Sequence, residues 1–148
     1  MIDQPCVVYL VDDEADYRFL VQQVFSIFLP GQQIRFFGSG LDLVAHLELA
    51  SDQKKGTPEV LILDIDMPRM NGFQTLLQVK RHPDWQGVPV VMMTNRDQAE
   101  YAQESYRLGA SAFLLKPINL NAIRDVMGFL CEHKGDFEQL PGLIRRGA

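Results

Sequence analysis

Four polar sites in this sequence each follow directly after a short apolar run. They are Asp12-Asp13 after CVVYLV, Asp64 after VLIL, Thr94 after VPVVMM and Lys116 after AFLL. Short apolar runs rich in branched residues are typical of strands that are covered on both faces in a parallel sheet. Because ligands bind at the carboxyl ends of parallel strands, we expect the four sites to share one edge of a sheet.

The chemistry of these side chains points to phosphoryl transfer. Three carboxylates placed together repel one another unless a cation balances them, and carboxylate oxygens select a hard ion such as Mg²⁺. Lys116 adds a second positive charge and Thr94 adds a hydroxyl donor. A carboxylate held beside these groups can accept a phosphoryl group, because the cations neutralise charge on its oxygens. Each element alone is more often a turn or helix-capping residue.

The elements that must position these sites alternate along the chain. Five apolar runs each precede a segment with apolar residues at helical spacing, as in 16–28. This order predicts an α/β fold with a doubly wound, five-stranded parallel sheet in the flavodoxin-like strand order 2-1-3-4-5. The predicted strands are 6–11, 34–37, 60–63, 88–93 and 112–115, and the predicted helices are 16–28, 41–49, 73–80, 97–108 and a last one that is capped by Asn119 and runs through Leu130.

Composition bounds the class of protein. The chain has 148 residues and 47% hydrophobic content, which indicates one globular domain, and its net charge of −5 argues against binding to nucleic acid. Two cysteines without metal-type spacing suit a reducing compartment. The sequence has no apolar run of membrane-spanning length and no signal peptide, so we expect a cytoplasmic protein with no membrane partner.

The chain resembles the receiver domain of two-component response regulators. The resemblance covers about residues 5–131 and rests on the run DIDMPRMNG that begins at Asp64, together with the other three strand-end sites and Gly109-Ala110. It implies that Asp64 accepts a phosphoryl group from a sensor histidine kinase or a histidine phosphotransfer protein in an Mg²⁺-dependent reaction. The protein would then be a phosphoacceptor in a phosphorelay and not an enzyme, although it would catalyse its own phosphorylation and dephosphorylation.

The resemblance also implies a role for each metal ligand. Asp13 and Asp64 would bind Mg²⁺ directly, Asp12 would act mainly through bound water, and the backbone carbonyl of Asp66 would complete the set.

The remaining roles concern the phosphoryl group and the response to it. Thr94 would hydrogen-bond a phosphoryl oxygen and Lys116 would pair with it, while Pro117 would fix the lysine loop, in the family through a cis peptide bond. Phe113 falls at the position of the aromatic switch, without the hydroxyl of a tyrosine.

Three residues near the site, Asn95, Asp66 and Arg96, depart from the family pattern. Asn95 stands where the family usually has a small residue, and Asp66 and Arg96 place opposite charges beside the path of attacking water. We expect Asp66 and Arg96 to form an ion pair that covers the site. Such a cover would lengthen the life of the phosphoryl group, because it hinders in-line attack by water.

The end of the chain is less patterned. Residues 132–148 are expected to be a C-terminal extension without an output domain, so we expect a stand-alone receiver, and the sequence leaves open whether the extension is frayed or ordered. The polar loop 51–58 and the extension resemble single-domain regulators partnered with phytochrome-type or hybrid kinases. Helix four, strand five and helix five would form the partner surface. The downstream target and the formation of a homodimer stay open.

Two alternatives belong to other classes. A haloacid-dehalogenase-type phosphatase would use Asp64 as nucleophile and Asp66 as general acid, but Pro68 stands at its Thr or Val position and no acidic pair follows Lys116. A binding module that works without phosphorylation could use the same fold.

Overall fold

Five parallel strands and five helices alternate along the chain in a computed structural model that describes residues 4–49 and 56–146. Most of the predicted loop 51–58 lies outside these ranges. The strands, numbered along the chain, have the predicted order 2-1-3-4-5 in the sheet. The strands are β1 (Val7–Val11), β2 (Gln33–Phe37), β3 (Val60–Asp64), β4 (Val90–Thr94) and β5 (Ala112–Leu115), and the helices are α1 (Ala15–Phe28), α2 (Gly40–Leu49), α3 (Gly72–Arg81), α4 (Ala99–Arg107) and α5 (Leu120–His133).

Two apolar clusters cover the two faces of the sheet. Alternate residues of β1 face opposite sides, with Val8 and Leu10 in one cluster and Tyr9 and Val11 in the other. Helices α1 and α5 pack on the first face, and α2, α3 and α4 pack on the second. The strands β3 and β4 are buried along their whole length, as their continuous apolar runs predict. The sheet edge that carries the polar residues is therefore held by the most buried part of the molecule.

The segment after β3 is folded back onto the end of that strand. Gly72 has no side chain, and a Cβ added there would lie 2.5 Å from the carbonyl oxygen of Asp64 and 2.7 Å from Cα of Ile65. Only glycine fits this close approach. Helix α3 begins here with a capping box, in which Asn71 and Gln74 each bind the other's backbone N–H group. These contacts fix the backbone around Asp64.

Strand β4 begins later than the sequence predicts. It starts at Val90 and not at position 88, which agrees with the inability of Pro89 to donate a ladder hydrogen bond. The carbonyl of Pro89 still accepts a hydrogen bond from the backbone of Leu61 at 3.0 Å.

The C-terminal extension is ordered through position 146, so the frayed alternative is wrong. Phe137 and Leu140 are 4% and 3% exposed and pack into the first apolar cluster. Leu143 forms an antiparallel bridge with Leu114, and the Ile144 N–H group donates to the carbonyl of Phe113 at 2.8 Å. The extension thus occupies the outer edge of β5, which as an end strand would otherwise offer unpaired backbone groups.

We expect the docked extension to contribute to stability. Phe137→Ala should lower the free energy of unfolding by about 3 kcal/mol, because it removes a buried aromatic side chain from the core. Glu138→Ala is the matched control, since its exposed ion pair with Arg145 is worth less than about 1 kcal/mol. Urea denaturation measures both variants, and equally small effects would contradict the docked arrangement.

Candidate functional site

The predicted site residues meet at the carboxyl edge of the sheet. Asp12 follows β1, Asp64 ends β3, Thr94 ends β4 and Lys116 follows β5. All four are buried, with exposed fractions of 0%, 4%, 0% and 7% respectively. Buried polar groups of this kind must find partners or a bound ion, because their removal from water is costly.

Lys116 is held by two acids and an aromatic ring. Its Nζ atom lies 2.6 Å from Oδ2 of Asp12 and 2.8 Å from Oε1 of Glu14. Both contacts are ion pairs. The Tyr17 ring lies 4.2 Å from Nζ, and its hydroxyl donates to the carbonyl of Pro117 at 2.8 Å. The lysine is therefore fixed over the edge of the sheet.

These contacts keep the lysine charged. Burial alone would lower the pKa of Lys116, but its contacts with Asp12 and Glu14 outweigh burial and hold the pKa above its usual value. Sequence reasoning missed Glu14 and Tyr17. The only available signal was the position of Glu14 directly after the acidic pair.

Three carboxylates form a cluster that fits a hard divalent cation. One oxygen each from Asp12, Asp13 and Asp64 lies within 4.8 Å of the others. Burial and the negative charge of Asp12, partly offset by the positive charge of Lys116, raise the pKa of Asp64 to about 7. Burial also raises the pKa of Asp12. The cluster thus has more negative charge than one ammonium group can balance, and its all-oxygen donor set suits a metal such as Mg²⁺.

Asp66 is the centre of a second side-chain network. The Thr94 hydroxyl donates to its Oδ2 atom at 2.7 Å, and the Tyr101 hydroxyl donates to Oδ1 at 2.9 Å. Nε of Arg96 lies 3.8 Å from the same Oδ1 atom, while the Arg96 backbone N–H group donates to Thr94 at 3.0 Å. The two charges expected to pair are near each other, but Thr94 and Tyr101 bind Asp66 more closely. Sequence reasoning missed Tyr101.

The family profile of the response regulator receiver domain matches residues 8–127 of the chain. This protein belongs to the response regulator receiver family. Membership favours the phosphoacceptor function over the phosphatase alternative, and receiver domains accept their phosphoryl group from histidine kinases.

Similar proteins include other response regulators. Response regulator Rcp1 of Synechocystis sp. is 30% identical over 118 residues, which cover 78% of this chain and 80% of Rcp1. The crystal structure of Mn²⁺-bound Rcp1 superposes with a TM-score of 0.75 at 23% identity, covering 97% of this chain and 100% of that one. The structure of the phosphorylated cyanobacterial phytochrome response regulator RcpA gives a TM-score of 0.75 at 20% identity, covering 93% and 99%. Both structures support the fold.

The receiver's predicted switch residue is already enclosed. Phe113 is 2% exposed and packs in the second apolar cluster, while Asn95 is exposed. The Lys116–Pro117 bond differs from the family pattern, because every described peptide bond is trans.

The receiver also offers a recess beside the lysine. A cavity of about 260 Å³ opens there, lined by residues of α1 and of the loops after β4 and β5, including Tyr17, Asn95 and Lys116. Ile118, on its rim, is 72% exposed.

No described helix is long and apolar enough to cross a membrane.

Proposed function

We propose that Asp64 is the residue of this receiver that accepts the phosphoryl group. The observation that carries the proposal is a buried carboxylate clustered with Asp12 and Asp13 at the end of β3, in a site that also contains buried Lys116. A carboxyl group with a pKa of about 7 keeps a substantial ionised fraction at neutral pH, and a cation would increase that fraction.

The reaction follows from these positions. A carboxylate oxygen of Asp64 attacks the phosphorus of phosphohistidine, and the P–N bond breaks with its electron pair passing to the imidazole, which takes a proton from solvent. The product is an aspartyl phosphate. Lys116 pairs with the phosphoryl oxygens, and the Thr94 hydroxyl turns from Asp66 to donate to one of them. The chain's own residues thus promote the transfer to Asp64.

A bound Mg²⁺ would neutralise charge on the phosphoryl oxygens. Asp13 and Asp64 would hold it directly, Asp12 would act through water, and the backbone carbonyl of Asp66 would complete the protein ligands.

Partners follow from the same surfaces. The recess beside Lys116, with Ile118 exposed at its rim, suits docking of a histidine kinase or a histidine phosphotransfer protein. The likeness to RcpA supports a phytochrome-type kinase as the donor.

Signalling would run from Thr94 through Phe113 to the surface of α4, β5 and α5. Because the extension binds β5, it forms part of this surface, and a homodimer through it stays a prediction, as does a cytoplasmic location.

The proposed acceptor can be tested by phosphorylation in vitro. Incubation with acetyl phosphate and Mg²⁺ should add the mass of one phosphoryl group to the wild type and to an Asp125→Asn control, whose changed carboxylate is exposed on α5. Asp64→Asn should abolish the gain, and Asp13→Ala or a chelator should largely abolish it, because each removes a required group. Intact-mass spectrometry gives the readout. A gain that persists in Asp64→Asn, or phosphate release with many turnovers, would contradict the proposal.

The lifetime of the phosphoryl group provides a second prediction. Arg96 is 61% exposed and near Asp66, so its side chain can cover the approach of water to Asp64. Arg96→Ala should lose the phosphoryl group several-fold faster than wild type, because in-line attack needs access to phosphorus. Arg81→Ala, at the exposed end of α3, is the control, and autodephosphorylation rates measure the difference. An unchanged or slower rate in Arg96→Ala would count against a covering role.

A further inference from the structure

The hydroxyl group of Thr94 has two competing acceptors. It has one proton, which it donates to Oδ2 of Asp66 at 2.7 Å in this structure. To bind a phosphoryl group on Asp64, it must release Asp66. Whatever fixes Asp66 therefore sets how readily Thr94 can turn.

Tyr101 fixes Asp66 from helix α4. Its hydroxyl donates to Oδ1 at 2.9 Å, while Thr94 uses the other oxygen of the same carboxylate. The Tyr101 ring meets the Phe73 ring edge-on, with centroids 5.5 Å apart and an interplanar angle of 88°. The phenol thus has a defined direction set by α3 and α4, and it holds the carboxylate with one oxygen toward Thr94.

Arg96 is the alternative partner of the Asp66 carboxylate. Asp66 is one-third exposed, and the Arg96 side chain beside it is 61% exposed. Without the phenol hydroxyl, Arg96 is the remaining side-chain donor near Oδ1 among the described residues, and solvent competes for that oxygen as well. Asp66 would then spend less time aimed at Thr94.

We propose that Tyr101 is a positioning residue, which by fixing Asp66 holds the Thr94 hydroxyl away from Asp64 in the unphosphorylated protein. The proposal rests on the proposed function, in which Thr94 binds the phosphoryl group. It also gives α4 a direct link to the site, because Asp66 accepts hydrogen bonds from both Thr94 and Tyr101, so release of Thr94 changes the carboxylate to which Tyr101 is bound.

The affinity for a phosphoryl mimic tests this proposal. Tyr101→Phe should bind beryllium fluoride in the presence of Mg²⁺ about fivefold more tightly than wild type, because a competing hydrogen bond is weakened. Tyr106→Phe is the matched control, since it removes a phenol hydroxyl from the same helix, where that group binds the carbonyl of Ile144 and not the site. In an Asp66→Ala background, Tyr101→Phe should have no further effect.

A second readout separates positioning from packing. The Arg96 backbone N–H group donates to Oγ1 of Thr94 at 3.0 Å, so its amide chemical shift reports the orientation of that hydroxyl. In Tyr101→Phe without the mimic, this shift should move toward its mimic-bound value, while in Tyr106→Phe it should stay at the wild-type value. A purely structural role for Tyr101 would change thermal stability without this movement.

The outcomes distinguish the two proposals. If wild type binds the mimic and Asp64→Asn does not, but Tyr101→Phe matches Tyr106→Phe in affinity and in the Arg96 shift, the positioning role is overturned alone. An effect of Tyr101→Phe that persists unchanged in Asp66→Ala also overturns it. If wild type fails to bind the mimic, the proposed function falls, and the positioning role falls with it.

Discussion

An imbalance of charge at the end of β3 is the constraint on which the rest of the site depends. Asp12 and Asp64 are both buried, and Asp13 lies beside them. Among the residues that the structure describes, one buried ammonium group, that of Lys116, faces them. Burial of its carboxyl group, together with the negative charge of Asp12 beside it, raises the pKa of Asp64 to about 7. The fold keeps this cluster in place through fully buried strands and the close approach at Gly72. The site is thereby ready for a divalent cation and then for a phosphoryl group.

Two side-chain networks lie at the carboxyl edge of the sheet. Lys116 is held by Asp12, Glu14 and Tyr17, so its position is set before any ligand binds. In the second network, Thr94 is joined to Asp66 through a hydrogen bond. Under the proposed function, this bond would break when Thr94 turns to a phosphoryl oxygen. The Lys116 network would then supply fixed charge, and the signal would leave the site through the movement of Thr94.

The sequence was sufficient for the fold and for the placement of the main site residues, for a physical reason. Continuous apolar runs mark buried parallel strands, and polar residues at their ends must share one edge. The contacts of Tyr101 and Glu14 could not be predicted in this way, because they depend on helix rotation and on side-chain rotamers across 35 and 102 residues. The docking of the C-terminal extension could not be predicted either, since its pairing with Leu114 has no periodic sequence pattern. The pKa of Asp64 depends on burial, which only packing reveals.

Proton release on metal binding is the most direct test of the charge imbalance. Isothermal titration of the wild-type protein with Mg²⁺, in buffers of different ionisation enthalpy, measures both affinity and released protons. Because a ligand carboxyl must be ionised to bind metal, the account predicts release of close to one proton at about pH 6 and of very few at about pH 8, with affinity rising between them. An affinity that is equal at both pH values, without proton release, would contradict it.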